Sequence, residues 1–415
     1  MGITETDQVK VTITENQFES QVIEKLIISS NEQNNDNNTK CSQNVNVNID
    51  FNSKQPKKNL KQPKSFTIFG YHLSQIKWFN VIWLMFIHSL AVIGYVYLSL
   101  YPVKFWSVWW TILLALFGGF GVSVGAHRLW AHKSFKARWL LRFALVFIET
   151  FSMNGGCYSY ARDHRCHHKF VDTNGDPKNA KRGFFFAHIG WWMLKKHPEV
   201  LRQGKKLNNQ DLDEEPLIVW QKRLYFPLFL LFGVVLATLV PYYCWNEDIW
   251  VAFFIAAVLR TVVVMHHLFT VNSIAHIWGL RPYNTTIGPT ESKLTMYLSM
   301  GEGSHNYHHT FPMDYANCQK KWWEVFNPST LFVDVCSIIW LAYDLKKPST
   351  EVVKGVVSRK GDQNFYQHKL LRQKPLRVRI LKGVQDWAMG IFVAGWAIYP
   401  PILFKIITGR PLFFF

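Results

Sequence analysis

Four stretches of this 415-residue chain carry almost no charge, and their lengths set the class of fold. Residues 79 to 101 contain no Asp, Glu, Lys or Arg, and neither do residues 105 to 126. Each run exceeds the ~20 residues that cross a bilayer core as an α-helix. A third run covers 224 to 245, and a fourth covers 249 to 280 with Arg260 as its one formal charge. As a continuous helix the fourth would be about 48 Å long, against a hydrocarbon core of about 30 Å, so its C-terminal part is expected to project out of the membrane. Four such runs argue against buried helices of a soluble protein. The predicted fold class is an all-α integral membrane protein, with four transmembrane helices (about 79–101, 105–126, 224–245 and 249–272) and a helical cap on one side.

The flanks read differently. Residues 1 to 64 form a polar, basic tail, Asn-rich from Asn31 to Asn38 and then carrying Lys54, Lys57, Lys58, Lys61 and Lys64 among prolines. Such a composition buries too little apolar surface to fold, so the tail is expected to be disordered. It has no apolar signal-peptide core, and Met1-Gly2-Ile3-Thr4-Glu5-Thr6 fits only the loose pattern for N-myristoylation. At the other end, 371 to 415 is an extension whose uncharged segment Trp387 to Phe404 contains Pro400-Pro401. That segment fits a fifth span, an interfacial helix or a lipid-anchored tail.

Charge placement orients the spans. Lys and Arg number 46 against 28 Asp and Glu, a net charge of +18, and the excess lies in the N-terminal tail, in 127 to 223 and beyond 280. The two short turns hold only Lys104 and Asn246-Glu247-Asp248. By the positive-inside rule the short turns face the lumen, and the tail, the long loop and everything after 280 face the cytosol. The sequons at Asn37 and Asn284 are therefore expected to stay unglycosylated. No nucleic-acid partner is expected.

The six cysteines form no C-x-x-C pair, so neither a disulfide framework nor a thiolate zinc site is indicated, and the candidate chemistry lies in the sixteen histidines. His127 and His132 (HRLWAH) begin where the second run ends. His164, His167 and His168 (HRCHH) lie in the long loop, Asn272 and His276 (NSIAH) on the protruding end of the fourth run, and His305, His308 and His309 (HNYHH) beyond it. All nine histidines converge on one side of the membrane. On a helix, residues three or four apart share a face, so His164 neighbours both His167 and His168, whereas His167 and His168 differ by about 100° and can address two different ions. Nine imidazoles suit two metal ions. His72, His88, His188, His197, His266, His267 and His368 read as structural or surface residues.

HRLWAH, YARDHRCHH, NSIAH and GEGSHNYHH, with the intervening DPKNAKRGFFFAHIGWWMLKKHPEV and FPMDYA, resemble the membrane acyl-CoA desaturases of the stearoyl-CoA or Δ9 type. The likeness runs from about residue 65 to 370, implying a desaturase domain over that range. It implies an endoplasmic reticulum enzyme whose nine histidines hold two irons, with Asn272 reaching one through water. The family partition would give one iron His127, His132, His168, His309 and Asn272, and the other His164, His167, His276, His305 and His308. The reaction it implies inserts a double bond into a long-chain acyl-CoA, most simply at Δ9, using O2 and two electrons. No HPGG-type haem-binding segment is present, so a separate cytochrome b5 and its NADH-dependent reductase are the implied donors. Removing hydrogen from an unactivated methylene needs an oxidant made from O2, which redox-inert zinc cannot supply.

The resemblance also implies substrate contacts. Arg162, Lys195 and Lys196 would meet the phosphates of coenzyme A, with Asp163 and Asn80 as hydrogen-bonding partners. Tyr160 stands where a tryptophan usually precedes ARDH, Leu268 and Phe269 replace a Thr-Trp pair ahead of Asn272, and Gly155 replaces an asparagine, all departures that leave the double-bond position open. Ala115 and Gly119 lie one turn apart and about 12 to 18 Å deeper than His127 along the second span, where the family's acyl tunnel closes. Small residues at both predict a tunnel that accepts eighteen-carbon chains at least as well as sixteen-carbon ones, or else only close helix packing. Two other classes remain: fatty-acid or alkane hydroxylases that share the histidine boxes, and a membrane metal transporter. A transporter would place ligands at the bilayer midplane.

Overall fold

A computed structural model describes residues 67–68, 71–365 and 375–414. The N-terminal tail, the Asn37 sequon, Gly2 and His368 lie outside the described residues. Among the described residues four helices are long and apolar enough to cross a membrane: α1 (Trp78–Leu100), α2 (Phe105–Ala131), α3 (Pro216–Trp245) and α4 (Ile249–Ile277). Their outward positions stay apolar, with Phe79 76 % and Met85 65 % exposed, as a lipid-facing surface requires. Where the helices meet, small residues allow close approach. A Cβ on Gly94 of α1 would lie 2.6 Å from the Phe254 carbonyl oxygen of α4. Arg260, the one charge of the fourth run, is buried and donates to the carbonyls of Ala256, Phe151 and Gly233, which satisfies it within the protein.

Both short turns lie at one end of the bundle. The Lys104 amide donates to Glu247 Oε2 at 2.9 Å, the Lys104 ammonium donates to the Trp245 carbonyl at 3.0 Å, and the Trp245 indole donates to Ser107 Oγ at 2.7 Å. Asp248 caps α4 by accepting from the amides of Trp250 and Val251, each at 2.9 Å.

Two boundaries differ from the sequence reading in ways that matter for the histidines. The second span does not stop at Ala126: it continues to Ala131 in wide turns, with the His132 amide donating to the His127 carbonyl five residues back. On a regular α-helix residues five apart would be rotated by about 140°, whereas a wide turn returns them to one face. The fourth span breaks into a tight turn at 270–273 before a last helical turn, Ile274–Ile277, so Asn272 sits in that turn and not on a continuous helix with His276.

The cap is built from short helices: α5 (Trp139–Glu149), α6 (Cys157–Lys169), α7 (Lys293–Leu298), α8 (His305–Thr310) and α9 (Pro328–Ile338). Two further helices, α10 (Leu376–Ala394) and α11 (Trp396–Ile407), are bent by 46°. The strand Phe413–Phe414 then pairs in parallel with Val103–Lys104. Not everything after residue 280 therefore lies on the histidine side: the final strand is fastened to the short turn at the opposite end of the bundle, because backbone pairing to residues 103–104 holds it there.

Candidate metal centre

The end of α2, helix α6, the last turn of α4 and helix α8 bring all nine histidines together in two sets. His127, His132, His164, His168 and His308 form one, and His167, His276, His305 and His309 the other; within each set the potential ligand atoms lie within 4.8 Å of one another. The nitrogens face inward. In the first set Nε2 atoms approach pairwise at 2.9 Å between His127 and His308, 2.9 Å between His132 and His164, and 3.0 Å between His168 and His308. In the second they stand 3.0 Å apart between His276 and His305 and 3.1 Å apart between His305 and His309.

This grouping corrects the family partition taken from the sequence. His164 and His308 belong with His127, His132 and His168, while His309 belongs with His167, His276 and His305. Helix geometry is the reason. Residues four apart stay on one face, which keeps His164 with His168 and His305 with His309, and a residue one position away is turned by about 100° toward the other set. The rings of His167 and His168 are accordingly at 88°, and those of His308 and His309 at 78°. Asn272 is buried four residues before His276, the histidine of the smaller set on the same chain segment.

The outer nitrogens are held by residues that the sequence reading did not single out. His167 Nδ1 lies 2.9 Å from Asp176 Oδ1, His308 Nδ1 is 3.1 Å from Asn317 Oδ1, His127 Nδ1 is 3.3 Å from Glu302 Oε2, and His276 Nδ1 makes a looser 3.5 Å contact with Asp172. An Nδ1–H donated outward leaves the Nε2 lone pair pointing into the cluster, the tautomer that binds a metal ion. Glu302 also receives Arg128 and Ser123 and accepts from Asn317 Nδ2 at 2.9 Å. Burial alone would push the Glu302 carboxyl up, but Arg128 and then His127 outweigh it and hold it well below the usual carboxylate range. Burial, and after it the neighbouring imidazoles, push His164, His168, His305, His308 and His309 well below the ordinary histidine pKa, and burial does the same for His132. Burial thus favours the neutral form of these rings, the form whose lone pair binds a metal.

The residues therefore fit two bound cations. Neutral lone pairs facing one another at about 3 Å inside a dry cluster repel unless a cation lies between them. The Nε2 of His167 is buried without any hydrogen-bond partner among the described residues. The carboxylates supply the signal that sequence reasoning could have used: Asp172 and Asp176 follow HRCHH directly, and Glu302 lies inside GEGSHNYHH.

Beside the cluster is a cavity of about 200 Å³ lined by five cations, Lys77, Lys178, Arg182, Lys195 and Lys196, against the two carboxylates Asp163 and Asp176. Tyr160 and Gly155 also line it. Of the predicted substrate contacts, Asp163, Lys195, Lys196 and Tyr160 meet here. Arg162 pairs with Asp163 at 3.1 Å without lining the cavity, and Asn80 donates to the Trp192 carbonyl at 2.8 Å behind it. Lys77, Lys178 and Arg182 were missed, although Lys178 and Arg182 lie in DPKNAKR. Lys178 is buried between the rings of Tyr160 and Trp191, 5.0 and 4.9 Å from their centroids, and burial with the charge of Lys196 lowers its pKa to about 8. Ala115 and Tyr160 pack on buried Val122, Val264 and Leu268, while Phe269 stacks edge-on to Trp191 and Trp192. Gly119 is pressed against Met300: an added Cβ would lie 2.9 Å from its Cγ.

A family model described as fatty acid desaturase matches residues 104–328. The chain is 41% identical over 288 residues to a stearoyl-CoA desaturase of Sus scrofa, covering 69% of this chain and 79% of the relative. It is 41% identical over 287 residues to a Delta(9)-fatty-acid desaturase of Caenorhabditis elegans, covering 69% and 84%. An acyl-CoA Delta12-desaturase of Acheta domesticus is 38% identical over 307 residues, covering 74% and 84%. With the paired histidine sets inside and around the matched region, the chain belongs to the fatty acid desaturase family of membrane oxidoreductases.

Proposed function

We propose that this protein is a long-chain acyl-CoA Δ9 desaturase with two irons, working on the cytosolic face of the endoplasmic reticulum with O2 and electrons from cytochrome b5 and its NADH-dependent reductase. The observation that carries the reading is the adjacency of two sets of inward-facing histidines to a cation-lined mouth. The names of two relatives at 41% identity, a stearoyl-CoA desaturase and a Delta(9)-fatty-acid desaturase, support acyl-CoA and Δ9.

In this reading the five-histidine set holds one iron, and His167, His276, His305 and His309 hold the other, with Asn272 supplying a water-mediated contact to the smaller set. Bound iron, with O2 and two external electrons, supplies an oxidant strong enough to remove two hydrogens from an unactivated methylene pair. The chain's own residues do the rest. Asp176, Glu302 and Asn317 keep the imidazole protons on Nδ1, so that Nε2 stays available. Lys77, Lys178, Arg182, Lys195 and Lys196 receive the phosphates of coenzyme A, and Asp163, ion-paired to Lys196 at 2.6 Å, holds that lysine in the mouth. Tyr160, Leu268 and Phe269 pack where the acyl chain would pass between mouth and metals, and the apolar wall keeps water from the oxidising site.

The ligand sets lie at the cap ends of the spans and not at mid-helix, which disfavours a transporter. A histidine-box hydroxylase shares this ligand geometry and differs only in the fate of the substrate after hydrogen abstraction. Expression in cells lacking their own acyl desaturase, with mass-spectrometric location of double bonds, separates the two. A C9–C10 double bond is expected. Hydroxylated acyl chains without new unsaturation would reject the desaturase reading, and a double bond elsewhere would reject Δ9.

A further inference from the structure

The geometry points to a fifth membrane crossing by α10 and α11, which leaves the C-terminus on the face opposite the histidines. One end of this helix pair is tied to the cap. Asp386 accepts from the Tyr297 hydroxyl at 2.7 Å and the Phe326 amide at 2.8 Å, and pairs with Lys293 at 2.5 Å. Arg379 donates to Glu324 at 2.6 Å, and the Trp387 indole to the Trp322 carbonyl at 2.8 Å. Lys293 and Tyr297 belong to α7, which leads directly into the segment carrying Glu302 and His305.

The other end is tied to the short turn between α1 and α2. Lys405, 2 % exposed, donates to the Tyr101 carbonyl at 2.9 Å, and Arg410 reaches the Leu100 carbonyl at 3.3 Å. Two cations thus meet the open carbonyls at the C-terminal end of α1, where the helix dipole is negative. The backbone pairing of Val103 with Phe413 and of Lys104 with Phe414 closes the connection. Midway, the Trp396 indole donates to His267 Nε2 of α4 at 2.8 Å.

Length agrees with a crossing. Residues 387 to 404 carry no charge, and 18 helical residues rise about 27 Å, close to the ~30 Å hydrocarbon core. Pro400 and Pro401 do not obstruct it, because they fall in the first turn of a new helical segment, where a missing amide costs little. The surface pattern agrees as well. Within α10 and α11 the buried positions are Gly383, Gly390, Ala397, Pro401 and Lys405, at successive intervals of seven, seven, four and four residues, the spacing of one helix face. A Cβ on Gly383 would overlap the Trp323 carbonyl oxygen, and one on Gly390 would overlap the Phe326 ring, so this face is seated against the body. The remaining apolar residues face outward, Ile391 65 % and Ile407 74 % exposed, in the manner of α1. An interfacial helix would keep both ends on one face, and a lipid-anchored tail would make no such end contacts.

The crossing makes the number of spans among the described residues odd, and neither 1–66 nor 366–374 holds an apolar run of ~20 residues, so the two termini are expected on opposite sides whichever way the protein is inserted; the inference does not depend on the proposed orientation or activity. Full-length protein with a different epitope at each end, in sealed membrane vesicles treated with protease, tests it. One epitope should be digested at once and the other only after detergent is added. Digestion of both before detergent, or protection of both, overturns the fifth crossing.

Discussion

His167 Nδ1 stands 2.9 Å from Asp176 Oδ1, nine residues along the chain, and both side chains are almost fully buried. Burial favours a protonated Asp176, but contacts with His167 and with the amides of Lys178 and Asp172 keep the carboxyl below its ordinary range. By accepting from a neutral His167 at Nδ1 it leaves the Nε2 lone pair facing the smaller histidine set. Asp176→Asn should lower metal affinity by about 10- to 100-fold at that set while leaving the five-histidine set loaded. Metal analysis of the purified variant should then approach half the wild-type content.

His164→Ala removes a ligand of the larger set and should reduce turnover by at least about 100-fold, the upper end seen for outer partners. His88→Ala makes the opposite prediction. His88 Nε2 is 2.9 Å from His266 Nε2, and His266 in turn contacts His188, so the change leaves a half-buried nitrogen unpaired and should cost about 1–3 kcal/mol of stability. Its metal content should be normal, as measured on the folded fraction.

Glu149 gives a pH test apart from the metals. It is fully buried in the cap, receives Gln221 Nε2 at 2.7 Å and Ser152 Oγ at 3.2 Å, and burial pushes its carboxyl up to about 7. The folded state therefore holds a proton that the unfolded state releases near 4.5. Stability from this group is fully present below 4.5 and declines as pH rises toward about 7, by up to about 3 kcal/mol. Melting temperature against pH should show that fall, and Glu149→Gln should flatten it.

The two small residues of α2 separate in the structure. Ala115 is partly exposed beside Val122, Val264 and Leu268, whereas Gly119 is buried against Met300, whose backbone already has a φ of 61°. Ala115→Tyr should shift acyl preference from eighteen toward sixteen carbons with metal content intact, read by competition between the two acyl-CoAs. Gly119→Phe overfills a packed contact and should lower the yield of folded protein by about 1–3 kcal/mol of stability without a selective change in chain length.

The Asn284 sequon should remain unmodified. Asn284 is buried, and its Oδ1 accepts from the Thr286 amide at 3.0 Å and hydroxyl at 2.7 Å, which occupies both acceptor residues of the sequon. Mass analysis with and without glycosidase should show no difference at this residue.

By itself the sequence determined the four spans, the shared side of the nine histidines and a histidine count that fits two metal ions. These follow from charge-free run lengths and from i,i+3 and i,i+4 spacing, which are local properties. Only the tertiary structure decided which histidines fall into the same set, because that depends on how α6 and α8 are rotated about their axes when they pack. The wide turns that align His127 with His132, and the break that takes Asn272 out of a regular helix, are likewise set by packing rather than by propensity. The outer carboxylates Asp172, Asp176 and Glu302 stood beside the motifs in the sequence, but their partners are fixed only when distant segments meet. The course of residues 387 to 404 was open for the same reason: an uncharged run containing two prolines is compatible with several placements, and the contacts of Asp386 and Lys405 at opposite ends of the bundle select one.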